Sequence, residues 1–338
     1  MTILVTGGCG FIGSNFIRYL LKTDETASLV NVDKLTYAGN LENVSDLSNS
    51  PRYQFIRADI ADASKMEELI EQGVDGIINF AAESHVDRSI EDPQAFMKTN
   101  VFGTFVLLEA LRKASRKRKI RFLHISTDEV YGSLGEAGAF SEGTPLAPNS
   151  PYSSSKAAAD LMVRAYSHTY GVPALITRCS NNYGPYQFPE KLIPLMISNA
   201  LEDRELPLYG DGLNVRDWIF VEDHCRALDL VFRHGQEGEV YNVGGRSEKT
   251  NLSVAQAILD CLGKPRSLLQ FVADRPGHDR RYAIDFTKIE RDLGWTPTLS
   301  FEEGICLTVD WYRTHRSWWE KIKTGEYQDY YQRMYAHR

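Results

Sequence analysis

Short apolar runs recur along the first half of the chain and alternate with longer stretches whose apolar positions follow the period of a helix. The runs are ILVT, SLVNVD, YQFIRAD, GIINFAA, IRFLHIS and ALITRCS, at residues 3–6, 28–33, 53–59, 76–82, 120–126 and 174–180. Unbroken apolar runs of this length are typical of strands that are buried on both faces. Their alternation with amphipathic helices predicts the α/β class, with a doubly wound parallel sheet.

The first of these strands leads directly into a glycine-rich turn, in ILVTGGCGFIGSNFIRYLL. Gly7, Gly10 and Gly13 have the spacing of a turn that lets the backbone approach a pyrophosphate, followed by a helix whose amino terminus attracts phosphate. Asp33 ends the next strand, where a carboxylate can accept hydrogen bonds from a ribose and repels a phosphate attached to it. We expect a Rossmann-type domain that binds NAD in preference to NADP, with Asp59 as an adenine contact. The simpler alternative is a turn without a ligand.

The second half of the chain has a different texture. After Ser180, proline, glycine, asparagine and aromatic residues are denser, and strand-like runs return at RDWIF and EVYNVGG. We expect a smaller substrate-binding lobe that is interleaved with the first domain and not appended to it. The predicted division assigns residues 1–180 and about 215–245 to the NAD-binding domain, and residues 181–214 and about 246–338 to the second lobe. Two lobes would leave a cleft between them.

Composition and charge narrow the choice of partners. The chain has 338 residues, 43% hydrophobic and 25% charged, which suffices for one large or two coupled domains. The formal net charge of −7 argues against nucleic acid or an anionic membrane as a partner. No apolar stretch approaches the roughly 20 residues needed to cross a bilayer, and no basic region precedes the first apolar run. We expect an unprocessed cytoplasmic protein.

The five cysteines are far apart and include no CxxC pair: Cys9, Cys179, Cys225, Cys261 and Cys306. This spacing suggests neither a disulfide framework nor a zinc knuckle, so we expect a reducing compartment. The histidines show no HxH or HExxH spacing, and we expect no metal site.

A tyrosine and a lysine stand four residues apart in PYSSSKAAADLMVRAY, on a predicted helix. Tyr152 and Lys156 therefore share one helix face. A free tyrosine, with a pKa of about 10, is a poor base at neutral pH, but a neighbouring ammonium and a positively charged nicotinamide stabilise its phenolate. The spacing alone is common, and it gains weight from the dinucleotide turn earlier in the chain. We expect Tyr152 to remove a proton from an alcohol.

Two carboxylates are adjacent where the strand IRFLHIS ends, in HISTDEVYG. The ordinary explanation of Asp128 and Glu129 is a helix cap or a surface turn. Two neighbouring carboxylates in a closed cleft, however, tend to share one proton and so offer one acid and one base. We expect burial and like charge to keep Asp128 protonated as the acid, with Glu129 as the base.

These segments resemble the extended short-chain dehydrogenases and reductases that act on nucleotide sugars. The resemblance rests on TGGCGFIG, Asp33, NFAAESHVDRS, KTNVFGT, STDEVYG and YSSSK, and it runs over nearly the whole chain. Other segments resemble the branch of that family that removes water from the sugar, namely ESHVDRSI, RCSNNYGPYQFPEKLIP, GLNVRDWIFVEDHCRAL and RPGHDRRYAID. Family members that only epimerise carbon 4 lack paired carboxylates at the position of Asp128 and Glu129.

The resemblance implies a dehydratase that makes a 4-keto-6-deoxy sugar nucleotide. Carbon 4 of the glucose loses a hydride to NAD while Tyr152 takes the hydroxyl proton and Thr127 aligns the oxygen. The new ketone acidifies carbon 5, whose proton Glu129 removes, and Asp128 protonates the carbon 6 hydroxyl, which leaves as water. The hydride then returns to carbon 6, so NAD is regenerated in each cycle and is expected to bind tightly.

The resemblance also implies a set of site residues. The catalytic group is Thr127, Asp128, Glu129, Tyr152 and Lys156. The residues expected at NAD are Gly7, Gly10, Phe11, Ile12, Gly13, Asp33, Lys34, Asp59, Ile60, Ala81, Ala82, Ser84, Thr99, Ser126, Tyr152, Lys156, Cys179 and Asn182. The residues expected at the nucleotide sugar are His85, Thr127, Asn181, Lys191, Leu192, Arg216, Asn251, Arg275 and His278. Arg216 and Arg275 are the preferred diphosphate ligands, because a planar guanidinium binds two oxygens at once.

The helix after Tyr152 carries apolar residues on more than one side: Ala157, Leu161, Met162, Val163, Ala165, Tyr166 and Tyr170. Family members commonly pair through this helix and the helix found here at PQAFMKTNVFGTFVLLEALRKA, so we expect a homodimer joined by a helix bundle. The alternative is a helix wedged fully inside one chain. The role of the aromatic, charged segment from Trp311 to the carboxyl terminus stays open.

Three functions remain open from the sequence: a nucleotide-sugar dehydratase, a redox-neutral epimerase or decarboxylase of the same fold, and a noncatalytic dinucleotide sensor. A sensor has no need of Tyr152, Lys156 and a carboxylate pair together, and an epimerase has no use for Asp128 or Glu129. The dehydratase is therefore favoured. No motif fixes the nucleotide base, and other dehydratases of this kind use CDP, GDP or UDP sugars.

Overall fold

A computed structural model describes residues 1–274 and 278–324 of the chain. Within these ranges the strands are β1 (Thr2–Thr6), β2 (Ser28–Asp33), β3 (Tyr53–Arg57), β4 (Gly76–Asn79), β5 (Arg121–Thr127), β6 (Ala174–Cys179), β7 (Asn181–Tyr183), β8 (Leu206–Tyr209), β9 (Val215–Phe220), β10 (Val240–Val243), β11 (Glu248–Thr250) and β12 (Leu269–Val272). The α-helices are α1 (Phe11–Thr23), α2 (Ala63–Glu71), α3 (Val86–Glu91), α4 (Pro93–Phe96), α5 (Thr104–Ala114), α6 (Pro151–Tyr170), α7 (Leu192–Leu201), α8 (Val221–His234), α9 (Asn251–Leu262), α10 (Thr287–Leu293), α11 (Phe301–Thr314) and α12 (Arg316–Ile322).

A seven-stranded parallel sheet organises the larger lobe, in the order β10-β6-β5-β4-β1-β2-β3. All six predicted strand runs lie in it, which confirms the α/β class and the Rossmann-type doubly wound sheet. Thr6 of β1 pairs with Val32 of β2 on one side and Asn79 of β4 on the other. The chain reverses its direction of strand addition between β1 and β4, and such a reversal opens a crevice at the carboxyl ends of the strands.

Helices cover both faces of this sheet because its strands are apolar on both sides. Ile3 and Val5 of β1 pack in one core with residues of α1 and α8, among them Phe16 and Leu228. Leu4, which lies between them, packs in a second core with residues of α2, α5 and α6. Successive side chains of a strand point to opposite faces, so one strand contributes to both cores.

A smaller lobe contains a three-stranded sheet, β11-β9-β7, and a two-stranded sheet, β12-β8. The helices α7, α9 and α11 pack around a separate core that includes Trp218 and Trp319. The chain enters this lobe after β6, returns to the large sheet through α8 and β10, and then leaves again. The assignment of β9 to the NAD-binding domain is wrong, because Val215–Phe220 pairs with β7 and β11. An apolar run identifies a strand but not its neighbours.

The smaller lobe also contains a disulfide bond that the cysteine spacing did not suggest. Cys261 near the end of α9 is bonded to Cys306 in α11, and their Cα atoms lie 5.6 Å apart. The expectation of a chain without disulfides is therefore wrong. The two cysteines are 45 residues apart in sequence, and only the packing of α9 against α11 brings them together. Cys9, Cys179 and Cys225 are free and buried.

The segment PQAFMKTNVFGTFVLLEALRKA is not one continuous α-helix. Between α4 and α5 it forms a π-helical stretch, Met97–Gly103, of the kind often found at functional sites. A Cβ on Gly103 would lie 2.5 Å from Ile60 Cδ1, so the close approach of this stretch to Ile60 requires glycine. As for membrane spans, no helix in residues 1–274 and 278–324 combines the length and the apolar character that crossing a bilayer requires.

Candidate active site

The glycine-rich turn between β1 and α1 has a geometry that side chains would disrupt. Gly7 has a φ of 70°, and a Cβ there would lie 2.6 Å from the Ala81 amide nitrogen. A Cβ on Gly13 would lie 2.4 Å from the Gly7 carbonyl oxygen, because α1 packs closely on the turn. A Cβ on Gly10 would meet only that oxygen among the described residues, at 3.3 Å. A side chain therefore has no room at Gly7 or Gly13, whereas the backbone at Gly10 is accessible. This arrangement fits the close approach of a pyrophosphate.

Asp33 ends β2 beside this turn and is held by two backbone amides. Its Oδ2 accepts a hydrogen bond of 2.9 Å from the Cys9 amide, and its Oδ1 accepts one of 2.8 Å from the Leu35 amide. Burial raises the pKa of Asp33, and the two amide hydrogen bonds oppose the rise. An ionised carboxylate can accept about four hydrogen bonds, so Asp33 keeps acceptor capacity for ribose hydroxyls.

Asp59 and Lys34 form an ion pair at the next strand end along the sheet. Lys34 Nζ lies 2.8 Å from Asp59 Oδ2, and the Ala61 amide donates to Asp59 Oδ1 at 2.9 Å. Burial acts to raise the pKa of Asp59, but the hydrogen bonds from Lys34 and Ala61 outweigh it and leave the pKa lowered. Asp59 is therefore an ionised acceptor at the cavity wall.

A cavity of about 290 Å³ opens at the carboxyl ends of the large sheet. It is lined by every residue that the sequence analysis assigned to NAD and by all five of the predicted catalytic group. Residues from the glycine turn, the ends of β2, β4, β5 and β6, the π-helical stretch and α6 meet here. The structure thus brings together segments that are up to about 175 residues apart, as parallel strands do at one edge of a sheet.

A second cavity, of about 160 Å³, adjoins the first and reaches into the smaller lobe. His85, Glu129, Asn181 and Lys191 line both cavities. The second cavity is also lined by the predicted substrate residues Leu192, Arg216, Asn251 and His278. Thr127 lines the first cavity, and Arg275 lies outside the described residues.

Arg216 borders the second cavity with its guanidinium held in place. Its Nη1 donates to the Val215 carbonyl oxygen at 2.7 Å, and its Nη2 donates to the Asp279 carbonyl oxygen at 2.9 Å. The guanidinium carbon also lies 4.3 Å from the centroid of the Tyr282 ring. A planar cation held on several sides loses little freedom when it binds two phosphate oxygens.

The carboxylate pair stands at the start of a 3-10 turn, Asp128–Tyr131, directly after β5. Thr127 caps this turn, because its Oγ1 accepts from the Glu129 amide at 3.3 Å and donates to Asp128 Oδ1 at 3.3 Å. Asp128 is buried, and its Oδ2 has no hydrogen-bond partner in the described part of the chain. Thr127 is therefore the residue that caps this turn. Capping does not explain why two carboxylates stand here.

Asp128 is held in its protonated form by its surroundings. Burial raises the pKa of Asp128 well above its usual value, and the charges of Glu129 and Asp217 raise it further, against the opposing effects of Arg216 and Thr127. Asp217, which the sequence analysis did not name, is itself buried and accepts from the amides of Gly245 and Ser247. A carboxyl group in this environment can donate a proton at neutral pH.

Tyr152 and Lys156 lie on α6, which begins with a capping box at Ser150. Burial raises the pKa of Tyr152 well above its usual value, and Glu129, Cys179 and Asp128 add to the rise, whereas a hydrogen bond with Thr127 lowers it. Lys156 Nζ donates to the Ile125 carbonyl oxygen at 2.7 Å. The expectation that the ammonium and a positively charged nicotinamide together stabilise the phenolate stays a prediction. A positive charge in the cavity would act in the required direction.

Several polar side chains at the cavity are fixed by backbone or buried partners. Asn182 Nδ2 donates to the Ser180 carbonyl oxygen at 3.0 Å, and its Oδ1 lies 2.8 Å from His224 Nδ1. Asn100 Oδ1 accepts from the Glu83 amide at 2.8 Å, and its Nδ2 donates to the Glu83 carbonyl oxygen at 3.0 Å.

Other lining residues were missed by the sequence analysis. In the first cavity they include Tyr37, Glu83, Gln187, Phe188 and Glu190, and in the second Pro207, Tyr209, Trp218 and Tyr282. Trp218 had a usable signal, because it stands two residues after Arg216 on the predicted strand RDWIF and so shares its face. Glu190 directly precedes Lys191, and its carboxylate accepts from Arg88 Nε at 3.1 Å. Contacts of this kind between distant segments leave no mark in the sequence.

The acid and base groups at this site are placed for proton transfer. In residues 1–274 and 278–324 no group of three or more histidine, cysteine, aspartate and glutamate side chains is arranged to hold a metal ion. The fold and the site together define a Rossmann-type enzyme that acts on an alcohol and has an additional acid and base pair beside the reacting group.

Comparison with known proteins agrees with this class. Residues 4–308 match the model of the family described as GDP-mannose 4,6 dehydratase, and the chain belongs to this family. It is 56% identical over 342 residues to a dTDP-glucose 4,6-dehydratase of Xanthomonas campestris pv. campestris, covering 96% of this chain and 97% of that protein.

Solved structures show the same similarity. A dTDP-glucose 4,6-dehydratase from Bacillus anthracis in complex with NAD has 52% identity and a TM-score of 0.90, covering 96% of this chain and 100% of that one. A dTDP-glucose 4,6-dehydratase from Streptomyces venezuelae with NAD and TYD bound has 50% identity and a TM-score of 0.92, with the same coverage. The resemblance to the extended short-chain dehydrogenases and reductases is confirmed.

Proposed function

We propose that this protein is an NAD-dependent hydro-lyase that converts dTDP-glucose to dTDP-4-keto-6-deoxyglucose with loss of one water. The observation that carries the proposal is the pair of Asp128 and Glu129 beside Tyr152, with Asp128 buried and held protonated. An enzyme that only epimerises carbon 4 has no need of this pair, because no proton leaves carbon 5. The relatives named dTDP-glucose 4,6-dehydratase support the choice of sugar nucleotide.

The residues that line the first cavity fit NAD. The backbone at Gly10 is open towards the cavity, and the start of α1 lies beside it for the pyrophosphate. Asp33 offers acceptors for the adenosine ribose, and its negative charge opposes a phosphate there. When bound, NAD takes up a hydride from carbon 4 of the sugar and gives it back to carbon 6.

Tyr152 and Thr127 act at the oxygen on carbon 4. Thr127 is fixed by its capping hydrogen bonds and positions this oxygen against the Tyr152 phenolate oxygen, which accepts its proton. Lys156 is anchored to the Ile125 carbonyl and contributes positive charge beneath the cavity. The raised pKa of Tyr152 means that its proton acceptance depends on positive charge in the cavity.

Glu129 and Asp128 act at carbons 5 and 6. Glu129 removes the proton from carbon 5 after the ketone forms, and Asp128 gives its proton to the carbon 6 hydroxyl, which leaves as water. Glu129 then returns its proton to carbon 5. The cycle closes when the proton gained by Tyr152 replaces the one that Asp128 lost.

The second cavity takes the nucleoside diphosphate in this proposal. Arg216 is the diphosphate ligand, since its guanidinium is already oriented by Tyr282 and two carbonyl oxygens. Asn251 and His278 also line this cavity. Lys191, whose Nζ donates to the Ser84 carbonyl oxygen at 2.7 Å, stands where the two cavities meet.

We propose that an exposed apolar face of the chain binds a second copy of the chain. The apolar side chains of this face are Phe102 of the π-helical stretch and Leu161 of α6, each about half exposed. A helix wedged fully inside one chain would not leave Leu161 56% exposed. Both helical segments named in the sequence analysis contribute to the face, which supports a homodimer joined by a helix bundle.

We place the protein in the cytoplasm. Three of its five cysteines are free thiols, as is usual in a reducing compartment. The bond between Cys261 and Cys306 is the exception, and Cys306 lies on the exposed side of α11. The cytoplasmic location can be tested on protein taken directly from cells. Its cysteines are alkylated at lysis, and the free thiols are counted.

Mass spectrometry of dTDP-glucose after incubation with the purified protein and NAD tests the reaction. Loss of one water from the sugar nucleotide is the expected result. An unchanged mass with an altered sugar configuration would show an epimerase and remove the role of the carboxylate pair. Parallel incubations with CDP-, GDP- and UDP-glucose report the preference for the base.

A further inference from the structure

A chain of buried polar groups lies behind Lys156, on the side away from the cavity. His124 of β5 has its Nε2 at 3.4 Å from Lys156 Nζ and at 3.7 Å from Asp160 Oδ1. Asp160 follows Lys156 by one helical turn on α6, and its Oδ2 accepts a hydrogen bond of 2.8 Å from Arg178 Nε. These side chains are almost completely buried. An arrangement of buried charges persists only when it is paired, and otherwise costs stability.

The same chain continues to the turn that bears the carboxylate pair. Arg178 Nη1 donates to the Tyr131 hydroxyl at 3.0 Å, and this hydroxyl donates to Asn242 Oδ1 at 2.8 Å. Tyr131 is the last residue of the 3-10 turn Asp128–Tyr131. Arg178 therefore connects Asp160 to the element on which the acid and the base stand.

We propose that Asp160 is a positioning residue that keeps the Lys156 ammonium charged and in place inside a dry core. His124 lies between the two groups, and the same ring nitrogen, Nε2, is near both of them. The inference rests on the proposed role of Lys156 in the NAD-dependent reaction. It adds a residue that lines neither cavity and acts on the reaction through Lys156.

The groups around Lys156 leave Asp160 as the source of negative charge. Burial lowers the pKa of Lys156 to about 8, and Asp160 and Cys179 act in the opposite direction. The Cys179 thiol is neutral at neutral pH, because burial raises its pKa to about 12. His124 from β5 is also neutral, since burial and the charges of Lys156 and Arg178 hold its pKa well below the usual value. Burial raises the pKa of Tyr152, on the same helix, so Tyr152 keeps its proton while the cavity holds no positive charge.

The sign of the effect follows from these charges. The ammonium is present below the pKa of Lys156 and is lost as the pH rises through it. When the Asp160 charge is removed, the main effect that opposes burial is lost, so the pKa of Lys156 falls. We expect Asp160→Asn to move the titration of Lys156 to lower pH by about one unit or more, the usual effect of a nearby opposite charge.

The titration of Lys156 can be measured directly in protein labelled with carbon-13 at the lysine Cε. The Lys156 resonance is the one that Lys156→Met removes. We expect it to titrate at lower pH in Asp160→Asn and near the wild-type position in Asp160→Glu, which retains the charge. Asp203→Asn, which removes an exposed carboxylate of the smaller lobe, is expected to leave the titration unchanged.

Asp160→Asn alone leaves the buried Arg178 without its partner and can destabilise the fold. The double variant Asp160→Asn with Arg178→Met removes both charges together and is expected to show a smaller downward shift of the Lys156 titration, because the loss of the Arg178 charge acts in the opposite direction. In either folded variant, the alkaline limb of the pH profile of kcat/KM is expected to shift with Lys156.

A Lys156 titration that is unchanged in both folded variants would overturn the proposal, even if turnover fell at every pH. The NMR titration needs no substrate, so it also separates this proposal from the reaction. If dTDP-glucose loses no water in the presence of wild-type protein, the proposed function fails whatever the Lys156 titration shows.

Discussion

Asp128 and Glu129 are adjacent in the chain, yet Asp128 is 2% exposed whereas Glu129 lines both cavities. Both residues line the first cavity, but the Asp128 carboxyl group is almost dry and stays protonated, whereas Glu129 also borders the second cavity. A dehydration needs one acid and one base on neighbouring carbons. A single dipeptide at the end of β5 supplies both.

Glu129→Gln should abolish the base and preserve the shape of the site. We expect kcat to fall by roughly 10²- to 10⁴-fold, the usual contribution of a general base, while calorimetry shows unchanged affinity for NAD and for dTDP. Glu136→Gln, which changes an exposed glutamate seven residues further on, is the matched control. Near-normal turnover in Glu129→Gln would remove Glu129 from the base role.

Gly13→Ala should weaken NAD binding through the turn. The added Cβ would lie 2.4 Å from the Gly7 carbonyl oxygen, so α1 or the turn must shift. We expect the Kd for NAD to rise by about tenfold or more, equivalent to about 1.4 kcal/mol. Gly135→Ala places its Cβ where no described atom lies within 4 Å and should leave the Kd unchanged. Equal Kd values for NAD in Gly13→Ala and Gly135→Ala would contradict a turn that leaves no room for a side chain at Gly13.

Loss of the disulfide bond should destabilise the smaller lobe. Its closed loop spans 45 residues, for which chain-entropy arguments give about 4 kcal/mol. We expect Cys306→Ser to unfold at lower denaturant concentration than wild type when no reductant is present. Addition of a reductant should bring the wild type to the variant's midpoint. If the reductant leaves the unfolding midpoint of the wild type unchanged, the disulfide bond does not contribute to stability.

Leu161→Glu should break the proposed dimer. A charge in the middle of an apolar interface costs several kcal/mol, so we expect the variant to elute as a monomer in size exclusion with light scattering. Leu307→Glu is the matched control, because Leu307 on α11 is also about half exposed but lies in the other lobe. The assignment of this face to the dimer interface would be wrong if Leu161→Glu stayed dimeric or if Leu307→Glu also dissociated.

The sheet and the positions of the site residues were predictable because their signals are local. Strand ends carry Asp33 and Asp128, and parallel pairing brings such ends to one edge whatever the loops do. The helical spacing of Tyr152 and Lys156 likewise fixes their common face without knowledge of the fold.

Features that depend on contacts between distant segments were not predictable. Cys261 and Cys306 meet only through the packing of two helices, and the pairing of β9 depends on which strands approach it. The raised pKa of Tyr152 reflects the sum of burial and three neighbouring groups, whereas the sequence showed only the nearby lysine. Trp218 is an intermediate case, since strand alternation relates it to Arg216.

The most direct test of the account follows a deuterium atom placed on carbon 4 of dTDP-glucose. The proposed reaction predicts a product that has lost one water and retains the deuterium, now bonded to carbon 6. Mass spectrometry gives the loss of water, and NMR gives the position of the label. A product of unchanged composition, with the deuterium still on carbon 4, would contradict the dehydration and the roles of Asp128 and Glu129.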